Sequence, residues 1–241
     1  NMLIDTILAS FLPTGSPSWL YVSDRLMQLP LGIFAIAIGT VILPRLSKLF
    51  VADDRLSFSE TLDWSMKLVF LIGMPAVIGL ILLAEPIILV LFERGAFTSE
   101  DTLQASYSLI ALAIGLVAFM LIKVLTPSFF ARQEPKKPMI VALGSMILNG
   151  VLAWIFGFYL GYGHIGLAIA SSVSAFFTVI TLLILLRIEE IYEPSAGWLV
   201  FWLRLLFAAI LLIVWLVYFD HDIFYLSCLL YTSDAADDPA S

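Results

Sequence analysis

PMIVALGSMILNGVLAWIFGFYLGYGHIGLAIASSVSAFFTVITLLILL, residues 138–186, contains no Lys, Arg, Asp or Glu. A helix crosses the roughly 30 Å hydrocarbon core of a bilayer in about 20 residues. The stretch is therefore too long for one crossing. GYGH at 161–164 divides it, its glycines and polar ring marking a turn between two spans. The rest of the chain agrees. Of 241 residues, 61% are hydrophobic and 13% charged, with a mean hydropathy of +1.04. Soluble domains average about 45–50% apolar and about 25% charged residues. The composition specifies an all-α, polytopic transmembrane helical bundle.

Working outward, residues 1–12 read as the end of a truncated span carrying Asp5. Further spans are expected at 26–46, 64–84, 103–129 and 198–219, and residues 223–231 begin another. From Cys228 the chain turns into a small, acidic segment, and residues 228–241 read as a foreign tail. Without Asp234, Asp237 and Asp238 the formal charge falls from -7 to -4. Residue 1 is Asn, and the chain reads as an internal fragment. No cleavable signal peptide is legible, and one cysteine forms neither an intramolecular disulfide nor a Cys-rich metal site.

Lys and Arg set the orientation of membrane proteins. One set of loops holds Arg45, Lys48, Arg55, Arg132, Lys136, Lys137 and Arg187; the other holds Arg25 and Arg94. This places VADDRLSFSE (51–60), ARQEPKKP (131–138) and RIEEIYEP (187–194) in the cytoplasm. GYGH and FDHD (219–222) face outward. ARQEPKKP either touches anionic lipid or fixes orientation. In ERGAFTSED (93–101), Gly95 makes a turn, Thr98 or Ser99 caps the next helix, and Glu100 and Asp101 suit its first turn.

Pro30 and Pro44 bracket the second span, Pro75 interrupts the third and Pro127 ends the fourth. Such prolines bend helices, or reflect the general frequency of Pro in membrane helices. Gly32, Ala35 and Gly39, and Ala168, Ser171, Ser172 and Ala175, form small-residue faces suited to close packing.

Ionisable groups at membrane depth are costly and need a partner or a water-filled cavity. Arg25, on the outer side, is either a snorkelling anchor or an anion contact, since guanidinium matches phosphate bidentately. Asp24 can orient Arg25 or cap the helix start. Lys123 either snorkels to the inner interface or lines a site. Asp5 is a polar helix end, or faces the bundle, where Asn149, Ser171 or Ser172 pair with it and help hold a cation.

Nothing suggests an enzyme. His164 and His221 lie in separate outer loops without Cys or paired carboxylates, and no Walker A or GxGxxG motif exists. No feature calls for a nucleic-acid partner.

SWLYVSDRLMQLPLGIFAIAIGTVILPRLSK (18–48), LFERGAFT (91–98) and KVLTPSFFARQEPKKP (123–138), in that order and spacing, resemble the MurJ (MviN) family of lipid II flippases. That family belongs to the multidrug, oligosaccharidyl-lipid and polysaccharide (MOP) exporter superfamily. The resemblance covers about residues 1–220. It implies that residues 1–187 form a carboxyl-terminal transporter lobe, a truncated first span and five more. Residues 188–227 would add one helix and the start of a last one. The amino-terminal lobe of the same protein would be its partner.

The implied activity moves the undecaprenyl-pyrophosphate-linked peptidoglycan precursor, lipid II, across the bacterial inner membrane by alternating access around a cationic cavity. Arg25 matches a cavity arginine, with Asp24 beside it, and Lys123 matches a recurrent position of less defined role. Asp5 and Asn149 match positions that hold a sodium ion in some members, although Ala153, one turn beyond Asn149, offers no side-chain oxygen. Membrane lipids are the remaining implied partners. The competing readings are another exporter of the superfamily, either a polysaccharide-lipid flippase or a multidrug/cation antiporter, and a non-transporting membrane scaffold.

Overall fold

A computed structural model describes the backbone of residues 2–236 and the side chains of residues 5–34 and 37–218. Nine α-helices are described: α1 (Met2–Ala9), α2 (Ser16–Pro30), α3 (Ile36–Val51), α4 (Arg55–Leu82), α5 (Ala84–Phe92), α6 (Ser99–Ala131), α7 (Lys136–Trp154), α8 (Gly163–Ile188) and α9 (Trp198–Ala236). No strand occurs among the described residues. Five helices are long and apolar enough to cross a membrane, and α2 with α3 makes a sixth, bent span. The polytopic all-α bundle read from composition is what the chain forms.

The 33-residue α6 is the centre. Of its most apolar stretch 67% is buried, against 11% for α9 at the periphery. Leu116, Met120, Leu125 and Phe129 of α6 pack with Leu62 and Val69 of α4 and with Leu182 and Leu186 of α8. In lipid, helices associate through close packing and not through escape from water, so small residues matter where backbones meet. At Gly115, a Cβ would lie 2.6 Å from Ser172 Oγ and 2.9 Å from Ser172 Cα. Ser172 itself donates to the Ala111 carbonyl at 2.7 Å, closing the α6–α8 contact.

The second span begins ten residues earlier than its apolar run suggests, at Ser16 and not near 26. Pro17 accounts for this, since proline suits the first turn of a helix. Asp24 therefore sits inside α2 and does not cap it; Gly15 occupies the N-cap without a side-chain bond. Pro30 ends α2, a π-helical turn follows at Leu31–Ala35, and α2 and α3 meet at a 40° bend. This is the bend expected from proline's missing N–H.

Pro127 does not end the fourth span: α6 continues to Ala131. Its ring removes the N–H that would bond to the Lys123 carbonyl four residues back. Gly39 of α3 packs on that carbonyl; a Cβ there would lie 2.9 Å from the oxygen. Pro75 likewise lies within an unbroken 28-residue α4. The short α5 was not anticipated, and α9 runs on through residues 219–222, where FDHD reads as a turn. The side chains of His221, Cys228 and the acidic tail lie outside the described residues.

Candidate functional site

A cavity of about 740 Å³ lies between α1, α2, α6 and α8. The stripe of α2 facing it follows helical spacing: Pro17, Leu20, Tyr21, Asp24, Met27 and Gln28, with Leu31 opening the π-helical turn beyond. Gly32 continues the stripe into the π-helical turn. Leu112, Phe119 and Lys123 of α6 line another part, and Leu167, Ala168 and Ser171 of α8 with Asp5 and Ala9 of α1 complete it. The walls are largely apolar, with a few polar groups converging, as ligand pockets usually are. Gly32, read from sequence as a packing residue, faces open space.

Four of the five residues singled out from the sequence meet at or beside this cavity. Asp5 Oδ1 accepts from Asn149 Nδ2 at 3.0 Å, and Asp5 Oδ2 accepts from Ser171 Oγ at 2.9 Å. Asn149 is completely buried. The pairing expected for Asp5 is therefore made by Asn149 and Ser171, joining α1 to α7 and α8; Ser172 turns toward α6 instead. Lys123 is exposed on the cavity wall, without an ion pair among the described residues. Asp24 also lines the cavity, and its carboxylate accepts from the Gln28 amide one turn on.

Arg25 stands apart from the other four. It is exposed, flanks the cavity-facing stripe without lining the cavity, and its guanidinium carbon lies 5.0 Å above the Tyr21 ring. Nine residues after Ser16, it sits about 14 Å along α2 at 1.5 Å per residue. That is well past the start of the helix. Of the charged side chains that line the cavity, two are carboxylates, Asp5 and Asp24, and one is an ammonium, Lys123. The strongly cationic character implied by the resemblance is not supplied by this lining.

At the start of α6, Thr98 rather than Ser99 is the cap. Its hydroxyl accepts from the Asp101 N–H, and Asp101 accepts from the Thr98 N–H in return. Asp101 also accepts from the Trp19 indole at 2.8 Å, fastening α2 to α6. At the opposite end of the bundle two ion clusters formed that the sequence did not announce. Asp63, 4% exposed, accepts from Lys67 Nζ (2.6 Å), Ser195 Oγ (2.7 Å), Tyr192 Oη (2.9 Å) and Trp198 Nε1 (2.5 Å). Burial and the Asp63 carboxylate push the Tyr192 hydroxyl well above its usual range.

The second cluster occupies ARQEPKKP. Arg132 lies 2.8 Å from Glu134 and 2.5 Å from Glu189, and Lys137 pairs with the same two carboxylates at 2.8 and 2.6 Å. Burial raises the Glu189 carboxyl, but bonds from Lys137 and Arg132 outweigh it and hold the group below the ordinary carboxylate range. Two of the loop's cations thus serve internal pairing. The Lys67–Asp63 spacing of four residues was the one local signal for the first cluster. Among the described residues no group of three or more His, Cys, Asp or Glu is placed to hold a metal ion.

A family model described as "Lipid II flippase MurJ" matches residues 1–232. The "Probable lipid II flippase MurJ" of Vibrio cholerae is 49% identical over 193 residues, 80% of this chain and 36% of that protein. The protein of the same name from Haemophilus influenzae is 44% identical over 219 residues, covering 87% and 42%. The "Lipid II flippase MurJ" of Burkholderia cenocepacia is 36% identical over 212 residues, covering 88% and 41%. The chain thus spans about two fifths of the length of these relatives. A solved structure of "Lipid II flippase MurJ, inward closed conformation" superposes with a TM-score of 0.69 at 30% identity, over 91% of this chain and 50% of that one. A MATE transporter in its bent conformation reaches the same TM-score at 19% identity, over 80% and 43%, a likeness of fold alone.

Proposed function

The chain belongs to the lipid II flippase MurJ family, and on that premise we propose that it is the carboxyl-terminal lobe of a lipid II flippase in the bacterial cytoplasmic membrane. The family match over residues 1–232 carries this reading. The cavity on α1, α2, α6 and α8 supports it, because a headgroup bearing charge cannot cross hydrocarbon unaided. Polar groups along a wall lower that barrier. The transfer breaks no covalent bond, so the protein needs a path and a conformational cycle and no catalytic residue.

Arg25 and Lys123 are the residues of this lobe proposed to meet the pyrophosphate, with Asp24 setting the local charge balance. The rest of the parent protein supplies the facing wall and the additional cations. In the intact parent, Arg25→Ala abolishes translocation of labelled lipid II in vesicles while insertion into the membrane is unchanged. Normal growth of cells depending on that variant would remove Arg25 from the path.

Sodium suits the Asp5–Asn149–Ser171 triad by donor chemistry: carboxylate, amide and hydroxyl oxygens are ligands of hard cations. Ala153, completely buried one turn from Asn149, adds none. We propose a weak site in which Asp5, Asn149 and Ser171 hold the ion. Sodium would then raise the melting temperature of the detergent-solubilised parent more than potassium does, and Asp5→Asn would erase the difference.

A further inference from the structure

Asp24 and Arg25 are neighbours of opposite charge at membrane depth, yet no ion pair joins them among the described residues. Consecutive residues on a helix point about 100° apart and do not face each other. Long side chains can still bend together, and in a low-dielectric setting the attraction between them is strong. Two neutral residues oppose that collapse. Gln28, one turn after Asp24, donates its amide N–H to the Asp24 carboxylate. Tyr21, one turn before Arg25, holds the guanidinium over its ring, 5.0 Å from the centroid. The carboxylate is engaged by a residue toward the end of α2 and the guanidinium by one toward its start. Over a ring face, the in-plane N–H donors of an arginine stay uncommitted, and Arg25 makes no hydrogen bond to a described residue.

We propose that Gln28 and Tyr21 are positioning residues that keep the Arg25 guanidinium available to a pyrophosphate-bearing lipid by holding Asp24 away from it. The inference rests on the reading of Arg25 given under Proposed function. Gln28 is neutral and satisfies the carboxylate without bringing another charge into the cavity. Removing its amide frees Asp24 to neutralise Arg25 from the adjacent position. Tyr21 acts through its ring face, so its hydroxyl is dispensable.

The test is titration of the intact, detergent-solubilised parent protein with undecaprenyl pyrophosphate, followed by thermal shift. Gln28→Leu weakens binding about tenfold, the scale of one charge-assisted contact. Asp24→Asn in the same chain returns the affinity to within about twofold of wild type. Tyr21→Phe binds as wild type, and Tyr21→Leu loses about threefold, the scale of an exposed cation–π contact. Asp24→Asn alone raises affinity by no more than about threefold, the share owed to one negative charge fewer in the cavity, because Gln28 already restrains that carboxylate. This last variant keeps the test open should Gln28→Leu fail to fold: a large gain in affinity from Asp24→Asn alone would mean that Asp24 neutralises Arg25 in the native protein, overturning the proposal. Weak binding by Gln28→Leu that Asp24→Asn does not rescue overturns it equally. Arg25→Ala separates the layers. If it binds as tightly as wild type, the reading of Arg25 itself fails; if it binds weakly while Gln28→Leu binds normally, only the positioning role fails.

Discussion

Asp63 shows how much one carboxylate can organise. It is almost completely buried and satisfies four side-chain donors from α4, the 189–197 linker and α9. Asp63→Ala leaves the half-buried Lys67 ammonium without its carboxylate and orphans the Tyr192 hydroxyl and the Trp198 indole. Leaving such buried polar groups unsatisfied costs about 1–3 kcal/mol, and the detergent-solubilised variant should melt correspondingly earlier. Glu189 gives a pH signature. Its carboxyl is held below its ordinary value by Lys137 and Arg132 against the effect of burial. The stabilisation is therefore complete above the ordinary carboxylate range and fades as the pH falls through the lowered value. Melting temperature measured from neutral to strongly acidic pH should decline less steeply in Glu189→Gln than in wild type. Beyond Lys67, none of Asp63's partners was legible in the sequence, because Tyr192, Ser195 and Trp198 lie 129 to 135 residues away. Asp5 was half legible: an acid in a span must find a polar partner, and the few candidates at that depth included Asn149 and Ser171.

Helices as units were readable wherever an uncharged run exceeded the bilayer, as in residues 138–186. Their ends were not. The first turns of α2 mix Ser, Trp, Tyr and Asp, so hydropathy placed the start too late and put Asp24 at a helix mouth that lies elsewhere. Proline was ambiguous for a physical reason: its effect depends on whether a neighbour compensates the lost N–H. At Pro30 the helix bends by 40°. At Pro127 the backbone of Gly39 packs on the freed carbonyl of Lys123 and α6 stays continuous. Gly39→Ala puts a methyl 2.9 Å from that oxygen and should cost about 1–3 kcal/mol, the range for overpacking a close contact. Thermal denaturation of the variant in detergent measures the loss.

For the molecule as a whole, the alternation of Lys- and Arg-bearing loops predicts sidedness directly. With Cys228 replaced by Ser, Gln133→Cys should react with an impermeant thiol reagent only after the cytoplasmic face is opened. Ala96→Cys should react in intact cells. Both residues are exposed at helix connections, so equal labelling of the two from outside would invert the topology. The α6–α7 turn and the linker after α8 are tied by ion pairs, and α2 is held to α6 by the Trp19–Asp101 and Ser23–Ala105 hydrogen bonds.

Those ties have a mechanical consequence for α9. Its first turn is fixed through Trp198 to Asp63 of α4, while along the apolar stretch from Trp198 to Tyr218 only 11% is buried. It is a beam built in at its first turn and resting on the bundle through the buried Leu205 and Leu216, with its other faces turned outward. From Trp198 to Tyr218 the beam is about 30 Å long at 1.5 Å per residue. A tilt of about one degree of α4 at the mounting then sweeps the Tyr218 end through about 0.5 Å on that geometry. Rotations in the bundle are therefore read out along the exposed face of α9, and most at the end remote from Asp63.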